Sequence, residues 1–419
     1  MQQRVARNLL WMLAERGLQI GAGICVVAML ARGLGTEGFA HFQYAQSVVY
    51  IAASIALLCG SEVVIPRLVA DQDPLAQHRL LAHAFGLRLI AGVLGYLCMC
   101  LFLAATGSAI EFWLPSLILG VAILLREPFG TVTAWMQAHT RTRPNTLISV
   151  VSLTVKLCGV AVLFALGIRE VTAYAVAFTA ESVTLAMLLA AFYRSRAPRM
   201  RVARNPALVR ELLDSGLMFW VSFMLMMGSR RVDQLLLKPL VPLHELGTYA
   251  ATMQVLDNFV LLATLLSAGI APIYVFAQPS LALARRNILK IAAGMMLVGA
   301  AGGMLIALGA PWIIHLLYGT AFSSAVGMLR LAALASTLVF ADVALTLLPI
   351  CMRRPGLVVA KWGLVFLATV AIDSVAIPKF GAYGAILGYA VANLLSVLFG
   401  IVVWLRSRQA GTASVEAPA

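Results

Sequence analysis

Three stretches of this chain hold no Asp, Glu, Lys or Arg at all: Leu89 to Ile110, Asn258 to Ala284 and Phe380 to Leu405. Each exceeds the roughly 20 residues that a helix needs to cross about 30 Å of hydrocarbon. They read as membrane spans. Composition agrees, because a chain that is 62% apolar and 11% charged lacks the polar surface that a water-soluble globule requires.

Apolar runs bounded by charge, Gly and Pro predict twelve helices, at about 9–31, 41–65, 82–105, 112–137, 146–167, 171–193, 214–238, 247–271, 288–310, 322–348, 357–377 and 383–405. Orientation follows from basic residues, which are retained on the cytoplasmic side in short loops. With the N-terminus inside, the internal segments collect twenty of the thirty-one Lys and Arg, Lys361 among them, whereas the external loops hold only Arg32, Arg169, Lys238 and Lys379. Both termini are then cytoplasmic. The net charge of +14 is a topology signal, and no nucleic-acid partner is implied.

The longest polar connector, "RSRAPRMRVARNPALVR" (194–210), divides six helices from six. The expected organisation is an N-terminal lobe over 1–193, a basic cytoplasmic linker over 194–210, a C-terminal lobe over 211–405 and a disordered tail over 406–419. Sliding the chain by 206 residues lays "SEVVIP" (61–66) over "SAGIAP" (267–272). That offset suggests a parallel duplication, and hence an all-α polytopic membrane protein with two pseudo-symmetric six-helix lobes around a central cavity.

Setting aside the twenty internal and four external basic residues leaves seven within predicted spans: Arg16, Arg88, Arg126, Lys156, Arg230, Arg231 and Arg330. A charge at the bilayer centre costs at least about 2.5 kcal/mol, so such groups should face protein or a wet cavity. Arg88 and Arg16 lie near enough to a helix end to snorkel, and Arg330 fits an interface anchor. Arg126 is deeper. It is followed by Glu127 and by Pro128, which frees a backbone carbonyl one turn earlier. In "SRRVDQ" (229–234), Arg230 and Asp233 share a face at a spacing of three while Arg231 points about 100° away. One arginine is therefore expected to be neutralised locally, leaving the other's planar fork free for a phosphate or carboxylate. Structural ion pairs and lipid headgroups are the competing explanations. The acids in spans are Glu15, Glu62, Glu127, Glu181, Asp233, Asp257, Asp342 and Asp373, any of which can carry a coupling proton or cation, with Glu62, Glu127, Asp233 and Asp257 the candidates for ion coupling or charge pairing.

No phosphate-cradling G-x-x-x-x-G-K-[ST] loop and no HExxH occurs, the six cysteines read as small buried hydrophobes, and no cofactor or metal site is implied. External loops too short to hold an acceptor argue against an enzyme.

The stretch 8–47, with "ARGLGTEGF" (31–39) after the first span and "FQYAQS" opening the second, resembles the polysaccharide-transporter family, the oligosaccharide flippases of the multidrug/oligosaccharidyl-lipid/polysaccharide exporter superfamily. "RRVDQLLLKPLVPLHELGTYAATMQVLDN" (230–258) and "LLYGTAFSSA" (316–325) are similar in the same way. The resemblance implies two six-helix lobes cycling between inward-open and outward-open states in a bacterial inner membrane. It implies as cargo a polyprenyl-pyrophosphate-linked oligosaccharide, moved to the periplasmic leaflet for O-antigen, capsule or exopolysaccharide assembly, and as partners membrane lipids, a polysaccharide polymerase and a chain-length regulator. Family positions that line the cavity match Arg16, Arg230 and Arg231; the eighth helix offers only Asp257.

The leading expectation is thus a lipid-linked oligosaccharide flippase in which Arg126, Arg230 and Arg231 engage pyrophosphate, with Arg16, Lys156, Arg88 and Arg330 as further candidates. Trp11, Tyr44, Tyr249 and Trp220 are candidate stacking partners for sugars. The alternative is a cation-coupled drug or small-molecule exporter on the same scaffold, distinguishable by an acidic rather than a positive cavity, and after it a membrane glycan polymerase or ligase.

Overall fold

In a computed structural model the backbone is described for residues 2–71, 73–198 and 203–413, and the side chains for 17–407 except 72, 142 and 199–202. The all-α expectation holds. The helices are α1 (Gln2–Ala56), α2 (Ser61–Ala70), α3 (Pro74–Ala105), α4 (Ile110–Ala138), α5 (Thr142–Ala165), α6 (Val171–Arg194), α7 (Pro206–Leu237), α8 (Leu243–Ala271), α9 (Leu281–Leu317), α10 (Ala325–Ala335), α11 (Thr337–Leu345), α12 (Leu347–Cys351), α13 (Pro355–Phe380) and α14 (Ala382–Ala413), with a π-helical turn at Pro272–Phe276.

Among the described residues, eleven helices are long and apolar enough to cross a membrane. The first of them covers 54 residues, Gly17–Ala70, and is interrupted at Gly35 (φ 71, ψ −175), so it supplies two crossings and the set accounts for the twelve expected. Only a residue without Cβ takes that φ at no steric cost, which is why the "RGLGTEGF" segment turns there. Gly381 (φ 58) does the same between α13 and α14, where Glu245 Oε1 accepts the Ala382 N–H at 2.7 Å. The second crossing is broken again over residues 57–60, between α1 and α2. Helices α10 to α12 are separated only by Ser336 and Thr346, both with α-helical φ/ψ, and cross as one span, Ala325–Cys351.

The chain separates into two compact units, Met1–Met227 and Gly228–Ala419. The first holds α1 to α6 and the start of α7; the second holds the rest of α7 and α8 to α14. The division falls inside α7 because that helix has two sets of partners. Early in α7, Glu211 pairs with Arg67 at 2.9 Å, Leu212 O accepts from Cys59 Sγ at 3.5 Å, and Trp220 Nε1 donates to Ile55 O at 3.0 Å. Late in α7, Gly228 lies against Phe366 and Arg231 pairs with Asp257. At the other end of the chain, α14 continues to Ala413, into the segment where a tail is expected from 406; residues 414–419 lie outside the described residues.

Hydrophobic burial gives no drive between helices in lipid, so close backbone packing through small residues takes its place. In unit one a Cβ on Gly95 would fall 2.6 Å from Ala52 O, and in unit two one on Gly303 would fall 2.6 Å from Ala333 O. Large apolar side chains such as Leu101, Leu297, Leu305 and Trp312 are left exposed, as lipid-facing positions require.

Candidate anion-binding site

Unit one gathers Arg88, Arg126 and Lys156 from three different helices. Arg126 sits on α4, which runs as one helix through Pro115 and Pro128. At the helical rise it lies about 24 Å from the Ile110 end and about 18 Å from the Ala138 end, so neither interface is within a side chain's reach. Its side chain is exposed, and the charged or polar groups acting on it are Glu181 of α6, Glu127 and Tyr50 of α1. Among the described residues its guanidinium makes no ion pair or hydrogen bond.

Lys156 of α5 is held differently. Its Nζ pairs with Glu181 at 2.7 Å, with both side chains largely covered, and lies 5.1 Å from the Phe178 ring centroid. The acid absent from its own helix comes from the neighbouring one.

Arg88 of α3 is 4% exposed and does not snorkel. Its Nε donates to Leu58 O at 3.2 Å and to Cys59 O at 3.3 Å, and one terminal nitrogen donates to Glu127 O at 3.1 Å. Those first two carbonyls are freed by the break over 57–60, and Trp220 takes Ile55 O. The guanidinium thus caps an interrupted helix and ties it to α4, with Glu127 and Glu62 as charged neighbours. Arg88→Met is expected to strand these buried acceptors at about 1–3 kcal/mol each, and Arg88→Lys to recover only part because one ammonium cannot reach all three. Thermal unfolding in detergent checks this: a melting temperature unchanged in Arg88→Met contradicts the cap.

In unit two the expected local pairing of Arg230 with Asp233 does not form. Asp233, 5% exposed, accepts from Tyr249 Oη of α8 and from the Gln234 N–H at 2.7 Å. Arg231, turned about 100° from Arg230, pairs with Asp257 of α8 at 2.6 Å. Here α8 supplies both partners, so helix packing overrides the three-residue spacing. Arg230 is the arginine left over: exposed, without ion pair or hydrogen bond among the described residues, and with Tyr389 of α14 as an electrostatic neighbour.

The remaining candidates scatter. Arg330 is exposed and donates from Nε to Ala307 O at 3.3 Å, apart from both clusters. Glu62 is exposed in the first turn of α2. Arg16 and Trp11 lie outside the described side chains. Tyr44 and Tyr249 are fully buried and offer no free ring face to a stacking partner, whereas Trp220 is half-buried with its indole N–H engaged by Ile55 O.

Two features of unit two go beyond the sequence reading, which placed Lys361 in a loop and named Asp342 and Asp373 as acids in spans without ranking them. Lys361, counted with the cytoplasmic basic residues, is buried on α13 and pairs with Asp342 of α11 at 3.0 Å, with Thr346 Oγ1 at 2.8 Å completing the ammonium's bonds. Asp373 of α13 is 0% exposed, and neither of its carboxyl oxygens has a hydrogen-bond partner among the described residues; Asp233 is its charged neighbour. A lone acid in "VAIDSVAI" was the available signal. Among the described residues no group of three or more His, Cys, Asp or Glu could hold a metal.

Both clusters are mixed in sign: Arg88, Arg126 and Lys156 stand with Glu62, Glu127 and Glu181, and Arg230 and Arg231 stand with Asp233, Asp257 and Asp373. A clearly positive lining is not what the residues form. Among the described residues of these clusters, the exposed cations with no ion pair or hydrogen bond are Arg126 and Arg230.

Comparison with known proteins bears on the fold and the family. A family described as "Polysaccharide biosynthesis protein" matches residues 5–268. No curated protein gives a significant sequence match. Among solved structures, an inward-facing multidrug resistance MATE family transporter of the MOP superfamily matches with a TM-score of 0.75 at 13% identity, over 95% of this chain and 96% of that one. The lipid II flippase MurJ in an inward closed conformation matches with a TM-score of 0.73 at 13% identity, over 94% and 87%. A MOP superfamily transporter from Pyrococcus furiosus matches at 0.58 and 14%, over 96% and 94%. At such identities the likeness establishes the fold, that of the MOP superfamily transporters.

Proposed function

The chain belongs to the family of polysaccharide biosynthesis proteins, and we propose that it is a flippase for a polyprenyl-pyrophosphate-linked oligosaccharide. The observation that supports this reading is that two exposed guanidiniums, Arg126 in unit one and Arg230 in unit two, make no ion pair or hydrogen bond among the described residues and lie on helices long and apolar enough to cross a membrane. A guanidinium held there without an ion pair is costly, and a pyrophosphate group offers the multiply charged, many-oxygen acceptor that arginine's planar fork matches best. Its prenyl tail stays in lipid and its sugars occupy the wet part of the path. Movement from the cytoplasmic to the periplasmic leaflet of a bacterial inner membrane, with both termini cytoplasmic and alternating access between two lobes, completes the proposal. O-antigen, capsule or exopolysaccharide assembly would use the product, alongside a polymerase and a chain-length regulator. Native mass spectrometry of the purified protein tests the headgroup: a pyrophosphate-linked prenyl glycan should outcompete its monophosphate analogue, and equal retention of the two refutes the assignment.

A cation-coupled exporter of drugs or small molecules is the second reading, and Asp373 is the observation that favours it. A buried carboxyl with no donor among the described residues is costly as an isolated charge and calls for a proton or a cation. The same group serves a flippase driven by an ion gradient, so coupling by Asp373 with Asp233 is proposed under either cargo. In reconstituted vesicles Asp373→Asn is expected to leave transport insensitive to an imposed proton or Na⁺ gradient; retained sensitivity excludes the residue from coupling.

A further inference from the structure

Where the basic linker enters α7, both ring nitrogens of His83 on α3 are engaged. Nδ1 lies 2.7 Å from Arg79 O, a carbonyl that can only accept. Nε2 lies 3.0 Å from the backbone nitrogen of Asn205, whose N–H can only donate. The neutral Nδ1–H tautomer is the one form of imidazole that satisfies both contacts. Asn205 in turn caps α7: its Oδ1 accepts the Leu208 N–H at 3.2 Å and its carbonyl accepts the Val209 N–H at 3.1 Å. The imidazole therefore holds, from a different helix, the residue on which α7 starts.

We infer that His83 is a pH-sensitive catch for the start of α7, whatever the cargo: neutral, it fastens the cap residue to α3, and protonated, it releases it. A proton on Nε2 removes the acceptor and sets one N–H against another. It also places a cation at the N-terminus of a 32-residue helix, where the macrodipole favours anions. The surrounding charges do not offset this. Of the acids at this end of α2, α3 and α7, Glu211 is bonded to Arg67 at 2.9 Å and Asp214 lies 3.9 Å from Arg210. Asp71 and Asp73 accept backbone N–H groups at the start of α3. Arg79 and Arg204 are exposed on the two segments that meet at His83, as are Arg141 and Arg194 at the ends of α4 and α6, and all four oppose a further cation. The other imidazoles here have their own partners, His78 in Tyr193 Oη at 2.8 Å and His139 in Trp135 O at 2.9 Å. Imidazole ordinarily changes charge between about pH 5 and 8, so in the proposed orientation the catch responds to acidification of the cytoplasm. The bonds further along α7, from Arg67 to Glu211 and from Trp220 to Ile55, do not involve His83, so its release frees the first turn and not the whole helix.

Hydrogen exchange of the full chain in detergent, followed on a peptide covering 203–213 and corrected for the intrinsic effect of pH on exchange, tests the catch. Protection in the wild type is expected to be about fivefold lower near pH 5.5 than near pH 8, the loss of one hydrogen bond of ordinary net strength. His83→Gln keeps a side chain that can donate and accept but does not titrate, and is expected to lose this dependence; His78→Gln is expected to keep it. The wild type supplies a second readout: in histidine-selective ¹⁵N NMR near pH 8, the signal that disappears in His83→Gln should belong to an Nδ1–H tautomer. Protection in the wild type that does not change with pH, a pH dependence that survives in His83→Gln, or an Nε2–H tautomer at His83 each overturns the catch.

Discussion

Arg126→Ala and Arg230→Ala are each expected to abolish surface polysaccharide in a host that depends on this chain, with the protein still present in the membrane at normal abundance. The size of the effect follows from the chemistry. A hydrogen bond to a charged group contributes about 1.5–3 kcal/mol, which corresponds to a roughly 10- to 150-fold loss of headgroup affinity for one such contact, and each guanidinium can make two. Abundance is expected to hold because, among the described residues, neither side chain carries an ion pair or hydrogen bond whose loss would strand a partner. Arg231→Ala is the control with the opposite signature: it leaves Asp257, now paired at 2.6 Å, as an uncompensated carboxylate, so membrane abundance should fall before transport can be judged. Immunoblotting of membranes beside quantitation of surface polymer distinguishes the two patterns. Polymer output that survives both Arg126→Ala and Arg230→Ala removes the anion site from the account.

The largest expected loss of stability belongs to Lys361 and Asp342. Lys361 is 2% exposed and Asp342 5%; the ammonium meets both carboxyl oxygens at 3.1 and 3.0 Å, and Ser396 Oγ donates to Asp342 Oδ1 at 2.8 Å. The bonds join α11, α13 and α14. Removing one member leaves a buried charge alone, at about 3–5 kcal/mol, whereas replacing both with apolar groups of similar volume is often neutral or stabilising. Lys361→Met and Asp342→Leu should therefore each lower the melting temperature in detergent sharply, and the double substitution should recover most of the loss. A double variant as unstable as the worse single one means that the pair contributes beyond charge balance.

Lys361 also shows where the sequence stops being legible. Its position near the start of a predicted span, after Arg353 and Arg354, made it look like a loop residue attracted to headgroups. Only the packing of α11 against α14 and of α13 against α14 brings an acid within reach. The same limit explains Lys156 with Glu181 and Arg231 with Asp257: residue spacing reports neighbours along one helix, and these partners are 25 and 26 positions away on the next. Local rules misassigned Asp233 for this reason, since Tyr249 from α8 outcompeted an arginine one turn away. The spans themselves were readable because hydropathy is a local sum, as was the turn at Gly35, where "GLGTEG" calls for a residue without Cβ. Breaks inside spans were not readable: "LLCG" over 57–60 has no proline, and what holds it open is a guanidinium from α3 and an indole from α7. Arg126 and Arg230 were singled out from depth alone, and the structure adds the surroundings that leave them unpaired.

The most direct measurement is transbilayer movement in vesicles containing only the purified wild-type chain. A fluorescent polyprenyl-pyrophosphate glycan loaded in one leaflet should become accessible to a glycan-cleaving enzyme on the other side, while a cationic drug-like dye placed on one side should stay there. If instead the dye crosses and the glycan does not, the chain is an exporter of cations on this fold, and the two arginines do not bind a pyrophosphate headgroup.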